Sequence, residues 1–290
     1  MRIERNNAKK TVYIEAESIT EMVEHASRWN QQPQAQQAPI RWEMGDWIGH
    51  HNLKNWKDVR TAVSTPWATG MTALTKLQSA LGHMELPTPT DRRRRRTFNE
   101  EAGEVEIDRV MSGQLDCFSA PKRRDVRQPK TLRLNIPFTF SAGVSAEEIM
   151  WKAVAAIAIS DILENSGRPV EICMMFLTSD TYQSGAPIYT TGFVATLKQA
   201  NDPLNIGALV SALSPWFFRT VCFGMQDSQS DCKTCSSRGR PDNSPEGLGR
   251  MTEALGIPDN TESITMSWVD SASSAEAFIR STVQQMEEAE

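Results

Sequence analysis

Residues 131–177 read TLRLNIPFTFSAGVSAEEIMWKAVAAIAISDILENSGRPVEICMMFL, and three periodicities follow one another within them. Leu132, Leu134, Ile136, Phe138 and Phe140 alternate with other residues, which is the period of a strand. Ser145 followed by Glu148 has capping-box spacing, so a helix is expected from there through Ser166. That helix is apolar on nearly all sides, as a helix held between layers should be. Gly167 stands where a C-cap falls. Val170 to Leu177 is a near-continuous apolar run, expected of a strand buried on both faces.

Downstream the alternation of elements continues. Ile188 to Leu197 reads as a strand, Leu204 to Leu213 as a helix ended by Pro215, and Thr220 to Met225 as a strand. Gln226 to Pro245 reads as a long polar loop, Glu246 to Leu255 as a helix, Ser263 to Val269 as a strand and Ala275 to Glu288 as an amphipathic helix. The order β-α-β-β-α-β-α-β-α predicts an α/β fold, with a mostly parallel sheet and helices on both faces.

Upstream, residues 1–30 read as a strand over 12–14 and a helix opened by Ser18 and Glu21, with Ile19, Met22, Val23 and Ala26 on one face. Residues 31–40 are rich in Gln, Pro and Ala without periodicity and read as a linker. Residues 41–86 hold four of the eight tryptophans, Trp42, Trp47, Trp56 and Trp67, in two expected helices. Asn52 is read as the cap of the first and Pro66 as its end. Gly70 is read as opening the second, which carries Leu74, Leu77 and Leu81 and ends at Gly82. Two such helices rarely stand alone, so they are expected to dock on the larger domain or on a partner. Residues 87–130 read as a basic linker in which Glu104 to Val110 alternates like a short strand. Residues 131–290 read as one domain.

Thirty-nine per cent hydrophobic residues in a chain of 290 suffice for one large core or two smaller ones. The five cysteines, at 117, 173, 222, 232 and 235, are too few and odd in number for a disulfide framework. With no secretory signal in view, they suggest a reducing cytosol. The stretch Ile149 to Leu163 carries Lys152 and Asp161 and is too short and charged to span a bilayer. Net charge is −5, yet residues 92–133 hold twelve Lys/Arg against seven Asp/Glu, leaving −10 on the rest. This basic island motivates a nucleic-acid reading.

Three local patterns give residues 131–290 a resemblance to von Willebrand A-type domains. The family's first strand ends in Asp-x-Ser-x-Ser, which holds a divalent cation, and the matching stretch here is Asn135-Ile136-Pro137-Phe138-Thr139 followed by Ser141. A second metal-site loop is similar to 202–209, Asp202-Pro203-Leu204-Asn205-Ile206-Gly207-Ala208-Leu209. The family's fourth strand often ends in an acidic residue and a Gly, and here Gly224 lies shortly before Asp227. The resemblance also implies an antiparallel edge hairpin after the second strand. The metal motif is degenerate: Asn135 is neutral, and Pro137 has no side-chain oxygen for a hard cation. As implied ligands it leaves Asn135, Thr139, Asp202 and Asp227. The whole chain also resembles proteins encoded by tailed bacteriophages that share the Trp-rich leader and arginine run.

Cys232 and Cys235 have zinc-knuckle spacing, but the four histidines all lie in the N-terminal third, so two loop cysteines are the simpler reading. His50 and His51 read as a surface pair, and His25 and His83 as structural residues on helices. Arg92, Arg93, Arg94, Arg95, Arg96, Lys122, Arg123 and Arg124 would neutralise phosphates, or form a solvated linker. The tryptophans read as a small core or as a binding platform. No GxGxxG, GxxxxGK[ST], HExxH or GxSxG motif is present.

The function expected first is non-enzymatic: a protein-interaction module presenting Thr139, Ser141, Asn205 and Asp227 to a protein partner, with no resident cofactor. The resemblance implies a hexameric ATPase or another phage protein as that partner. The alternatives are nucleic-acid binding through the basic island and a metal-dependent hydrolase using Asp202 and Asp227.

Overall fold

The computed structural model describes residues 1–6, 11–30, 42, 44–50, 52–82, 84, 96–99, 104–121, 131–180, 189–229, 240–257 and 262–288. In chain order the elements are β1 (Arg2–Asn6), β2 (Thr11–Ala16), α1 (Ile19–Asn30), α2 (Gly45–Ile48), α3 (Trp56–Val63), α4 (Ala68–Leu81), β3 (Arg96–Asn99), β4 (Glu104–Val105), α5 (Ile107–Met111) and β5 (Phe118–Pro121). There follow β6 (Leu132–Pro137), α6 (Ala146–Asn165), β7 (Val170–Asp180), β8 (Tyr189–Lys198), α7 (Ile206–Ala212), α8 (Pro215–Phe217), a π-helical turn (Phe218–Cys222), α9 (Phe223–Asp227), β9 (Arg240–Pro241), α10 (Pro245–Ala254), β10 (Glu262–Thr265) and α11 (Ala272–Glu288). The chain divides into two compact units, residues 1–86 with 130–290, and residues 87–129.

The larger unit is α/β, built on a mixed sheet of order β1-β2-β8-β7-β6-β10, with β9 added to β7. Its middle is mostly parallel: β6 runs parallel to both β7 and β10, and β2 is parallel to β8. The pair β7/β8 is antiparallel as expected, but β8 lies between β7 and β2 and not at the expected sheet edge; β1/β2 is antiparallel too.

Alternation decides the faces. Leu132, Leu134 and Ile136 of β6, Ile172, Met174 and Phe176 of β7, Val12 and Ile14 of β2, and Phe193 of β8 join one large core with the helices. The odd residues of β7, Cys173, Met175 and Leu177, join a smaller core with Tyr13, Val194, Leu248 and Met251 of α10 and its C-cap Leu255. Helices therefore cover both faces, α10 on one and α6 with its neighbours on the other. At Gly192 a Cβ would stand 2.6 Å from Met251 Sδ and 2.8 Å from Leu177 Cδ1, so the missing side chain lets α10 close onto β8.

The capping box of α6 forms: Ser145 Oγ accepts from Glu148 N at 3.2 Å, and Ser145 N donates to the Glu148 carboxylate at 2.6 Å. Gly167 at its end has φ +82°. The helix is buried nearly all round because the sheet, α4 and α11 surround it. No single helix among the described residues is long and apolar enough to cross a membrane.

Four further expectations are corrected. The expected strand over 220–225 is helical: residues 215–227 run through α8, the π-helical turn and α9, with 215–222 wholly buried around Trp216, Phe217 and Phe218. A short apolar run has the same composition in a buried helix as in a buried strand. Pro215 begins this segment at its first turn, behind the Ser214 cap, where its missing N–H does no harm. Asn55, not Asn52, caps α3, and α4 begins before Gly70, which is buried against Trp67 and Val210. The expected strand over 104–110 becomes β4 and the helix α5.

Candidate functional site

The first-strand end is tied down internally. Thr139 is buried, and its hydroxyl accepts from Leu177 N at 2.8 Å while its carbonyl accepts from Asn243 Nδ2 at 3.0 Å. Ser141 is exposed in the turn that leads to α6. Asn135 is half-buried on the α10 side of the sheet. Asp227 is the half-buried last residue of α9.

Asn205 caps α7 by accepting from Ala208 N, and Asp202 is exposed in a turn closed onto Gln199. That turn follows Lys198, which pairs with Ile172 near the start of β7, whereas Thr139 bonds to Leu177 five residues further along. At about 3.3 Å per residue this is roughly 16 Å, so the turn with Asp202 stays at the opposite end of the strand. Among the described residues, no three His, Cys, Asp or Glu side chains come together in a way that could hold a metal ion. Arg92 to Arg95, Lys122, Arg123, Arg124, Cys232, Cys235, His51 and His83 lie outside the described residues, as does the side chain of Arg96. His50 packs on Trp216, and His25 Nε2 lies 2.8 Å from Ser228 Oγ. Burial lowers the His25 pKa.

Three cations that no sequence pattern singles out are buried, and one of them, Lys198, is held by Glu164 and by the carbonyls of Val170 and Gln199. Lys152 is 2% exposed, with its ammonium 5.6 Å from the Phe140 ring centroid and 5.8 Å from that of Trp268. Burial lowers its pKa to about 8. Arg219, on the π-helical turn, donates through Nη2 to Val144 O and lies 4.4 Å over the Trp47 ring. Its Nε and Nη1 find no partner among the described residues, and burial lowers its pKa to about 10.

Two open grooves flank α10. One, of about 660 Å³, is lined by Arg133, Asn135, Met175, Val194 and Thr252 among others. Arg133 there pairs with Glu171 at 2.9 Å. The other, of about 550 Å³, is lined by Tyr13, Thr11, Thr190, Arg250 and Glu253 among others. Burial raises the Tyr13 pKa, and the nearby Arg250 charge opposes it. The Cys173 thiol in the first groove is pushed up to about 12 by burial, which removes it as a nucleophile at neutral pH.

The smaller unit is a three-stranded antiparallel sheet, β3-β5-β4, with α5 between β4 and β5. Arg109 locks it, pairing with Asp116 at 2.7 Å and lying 3.9 Å over the Phe98 ring. Ser119 Oγ adds a 3.0 Å bond to Glu106. The apolar residues of α5 point outward: Ile107 is 70% exposed, Met111 82% and the following Leu115 79%, with Val110 about half-exposed. Ile107, Val110 and Met111 stand at i, i+3 and i+4, one helical face. Glu104, Glu106, Asp108 and Asp116 share the described 104–119 segment with them, against Arg109 alone. Their spacing was visible in the sequence, but over five residues it competes with the two-residue alternation of a strand.

The chain forms a mixed-sheet α/β unit and a second, small three-stranded unit whose helix α5 has exposed apolar side chains. The chain belongs to a family described as a domain of unknown function, DUF7192, whose model matches residues 4–287. No curated protein and no solved structure matches it.

Proposed function

We propose that the chain is a non-enzymatic protein-interaction module, and that α5 is its docking element. The observation that carries this is the apolar face of Ile107, Val110 and Met111, extended by Leu115, turned to solvent. A unit of this size has too little interior to bury them itself, and helices with exposed i, i+3, i+4 anchors bind by lying in an apolar groove. The occupant is a partner protein with such a groove and a basic rim, because the described 104–119 segment that carries the anchors holds four carboxylates and one guanidinium. The A-type resemblance of residues 131–290 and the phage resemblance of the whole chain belong to the same reading. They favour a phage protein or a hexameric ATPase as partner. In this reading the docking surface is α5; the buried Thr139 acts as a structural tie.

The test is site-specific photocrosslinking from p-benzoylphenylalanine placed at Met111 in the full chain, in the cells that produce it. The expected product is a conjugate with another protein, its crosslink mapping to an apolar groove edged by Lys or Arg. The conjugate should vanish when Ile107→Asp is added. A crosslink mapping back to this chain, within one copy or between two, would overturn the reading.

A further inference from the structure

Lys152 has no counter-ion among the described residues. Among the described residues no carboxylate pairs with it and no acceptor takes a hydrogen bond from it; its ammonium lies 5.6 and 5.8 Å from the ring centroids of Phe140 and Trp268. Glu148, one turn earlier on α6, is engaged with Ser145 N. Asp270 is held by Ser274 and by the Trp268 indole N–H at 3.2 Å. Buried charges in folded proteins are ordinarily paired. Ring faces offset only part of the cost of removing an ammonium from water.

The position of this amine is informative. Phe140 lies three residues past β6 and Trp268 three past β10, two neighbouring parallel strands, so both rings stand at carboxyl ends of the sheet. Ligands of open α/β sheets gather outside those ends. Lys152 lies in the second turn of the twenty-residue helix α6, and helical side chains lean back toward the N-terminus. Its charge is thereby carried toward an end that already favours anions. Trp268 is half exposed, so part of the indole near the amine is open to solvent.

We infer that the place where β6 and β10 end is a binding site for a small organic anion, a carboxylate or phosphate borne on a flat apolar group, with Lys152 Nζ as counter-ion and the Trp268 indole as stacking platform. This site is independent of α5 and of the partner bound there. It supplies the charge that the fold leaves unbalanced and uses the one large aromatic ring left half open beside it.

The test uses the full chain labelled with 5-fluorotryptophan, the Trp268 resonance being assigned from Trp268→Phe. Benzoate, phenyl phosphate, inorganic phosphate and the neutral benzyl alcohol are titrated separately. A saturable shift of the Trp268 signal with benzoate or phenyl phosphate is expected, and which of the two binds more tightly identifies the anion. Inorganic phosphate is expected to bind more weakly than phenyl phosphate, and benzyl alcohol not to saturate. Lys152→Met, which removes a buried charge and should fold, is expected to weaken binding about tenfold or more, the loss of one charge-assisted contact. No saturation by either aromatic anion at millimolar concentration, or equal affinity in Lys152→Met, would overturn the site. So would inorganic phosphate binding as tightly as phenyl phosphate, since the indole would then play no part.

Discussion

The hydroxyl of Thr139 stands in for a strand: where β6 ends, it accepts the amide of Leu177 at 2.8 Å and continues the ladder along β7. Phe138 N donates to Met175 O just before it, and Asp242 N takes the Leu177 carbonyl just after. Thr139→Val keeps the shape and removes the acceptor, leaving a buried N–H unpaired. A loss of about 1–3 kcal/mol is expected in denaturant unfolding. Thr139→Ser should recover most of it. Equal stability of the Val and Ser variants would show that the hydroxyl contributes nothing.

Gly192 is the point where α10 closes on the sheet. Its Cβ would also meet Phe176 O at 3.1 Å, which is backbone and cannot swing away. Gly192→Ala is expected to destabilise by about 1–3 kcal/mol through overpacking. Hydrogen exchange of the α10 amides should quicken more than that of α6. An unchanged melting temperature would mean that Met251 and Leu177 move aside freely.

The pH dependence of stability should report Lys152. Burial brings its pKa from 10.5 to about 8. Below pH 8 the amine is charged in the folded and unfolded chains alike, and the full burial penalty is present. Between the two values the unfolded chain keeps a proton that the folded chain has released, so stability rises with pH across that window. The shift corresponds to about 3 kcal/mol. Lys152→Met should therefore exceed wild type by that order near neutral pH, the gap shrinking toward pH 10.5. A gap that stays constant, or widens, as pH rises would contradict the burial argument.

The α5 face should be dispensable for folding. Ile107→Asp with Met111→Asp removes two side chains that contribute little to a core, so unfolding is expected to change by no more than about 0.5 kcal/mol. Binding of a fluorescent apolar dye to the native protein should fall. A large loss of stability would mean that these residues are buried against something in solution.

The candidate site was less legible in the sequence than the fold. Ser145 and Glu148 announce α6, and the alternation from Leu132 announces β6, because capping and pleat act on neighbours within a few residues. The apolar run of β7 likewise declares a strand covered on both sides. Residues 220–225 misled, since burial makes a short helix and a short strand equally apolar. In the sequence Lys152 marks only a charge that argues against a membrane span, and nothing nearby shows that its neighbours are Phe140 and Trp268. Trp268 lies over a hundred residues away.

Local order, then, was set by the sequence itself: where helices start, which strand residues share a face, and that the class is α/β. These depend on backbone sterics, capping bonds and periodic burial, all of short range. Tertiary structure alone decided that the N-terminal strand pairs beside β8, that Thr139 turns inward, that Lys152 is enclosed with no counter-ion among the described residues and that the apolar side chains of α5 are exposed. Each is a pairing or burial between segments far apart in the chain, selected by the packing of the whole core.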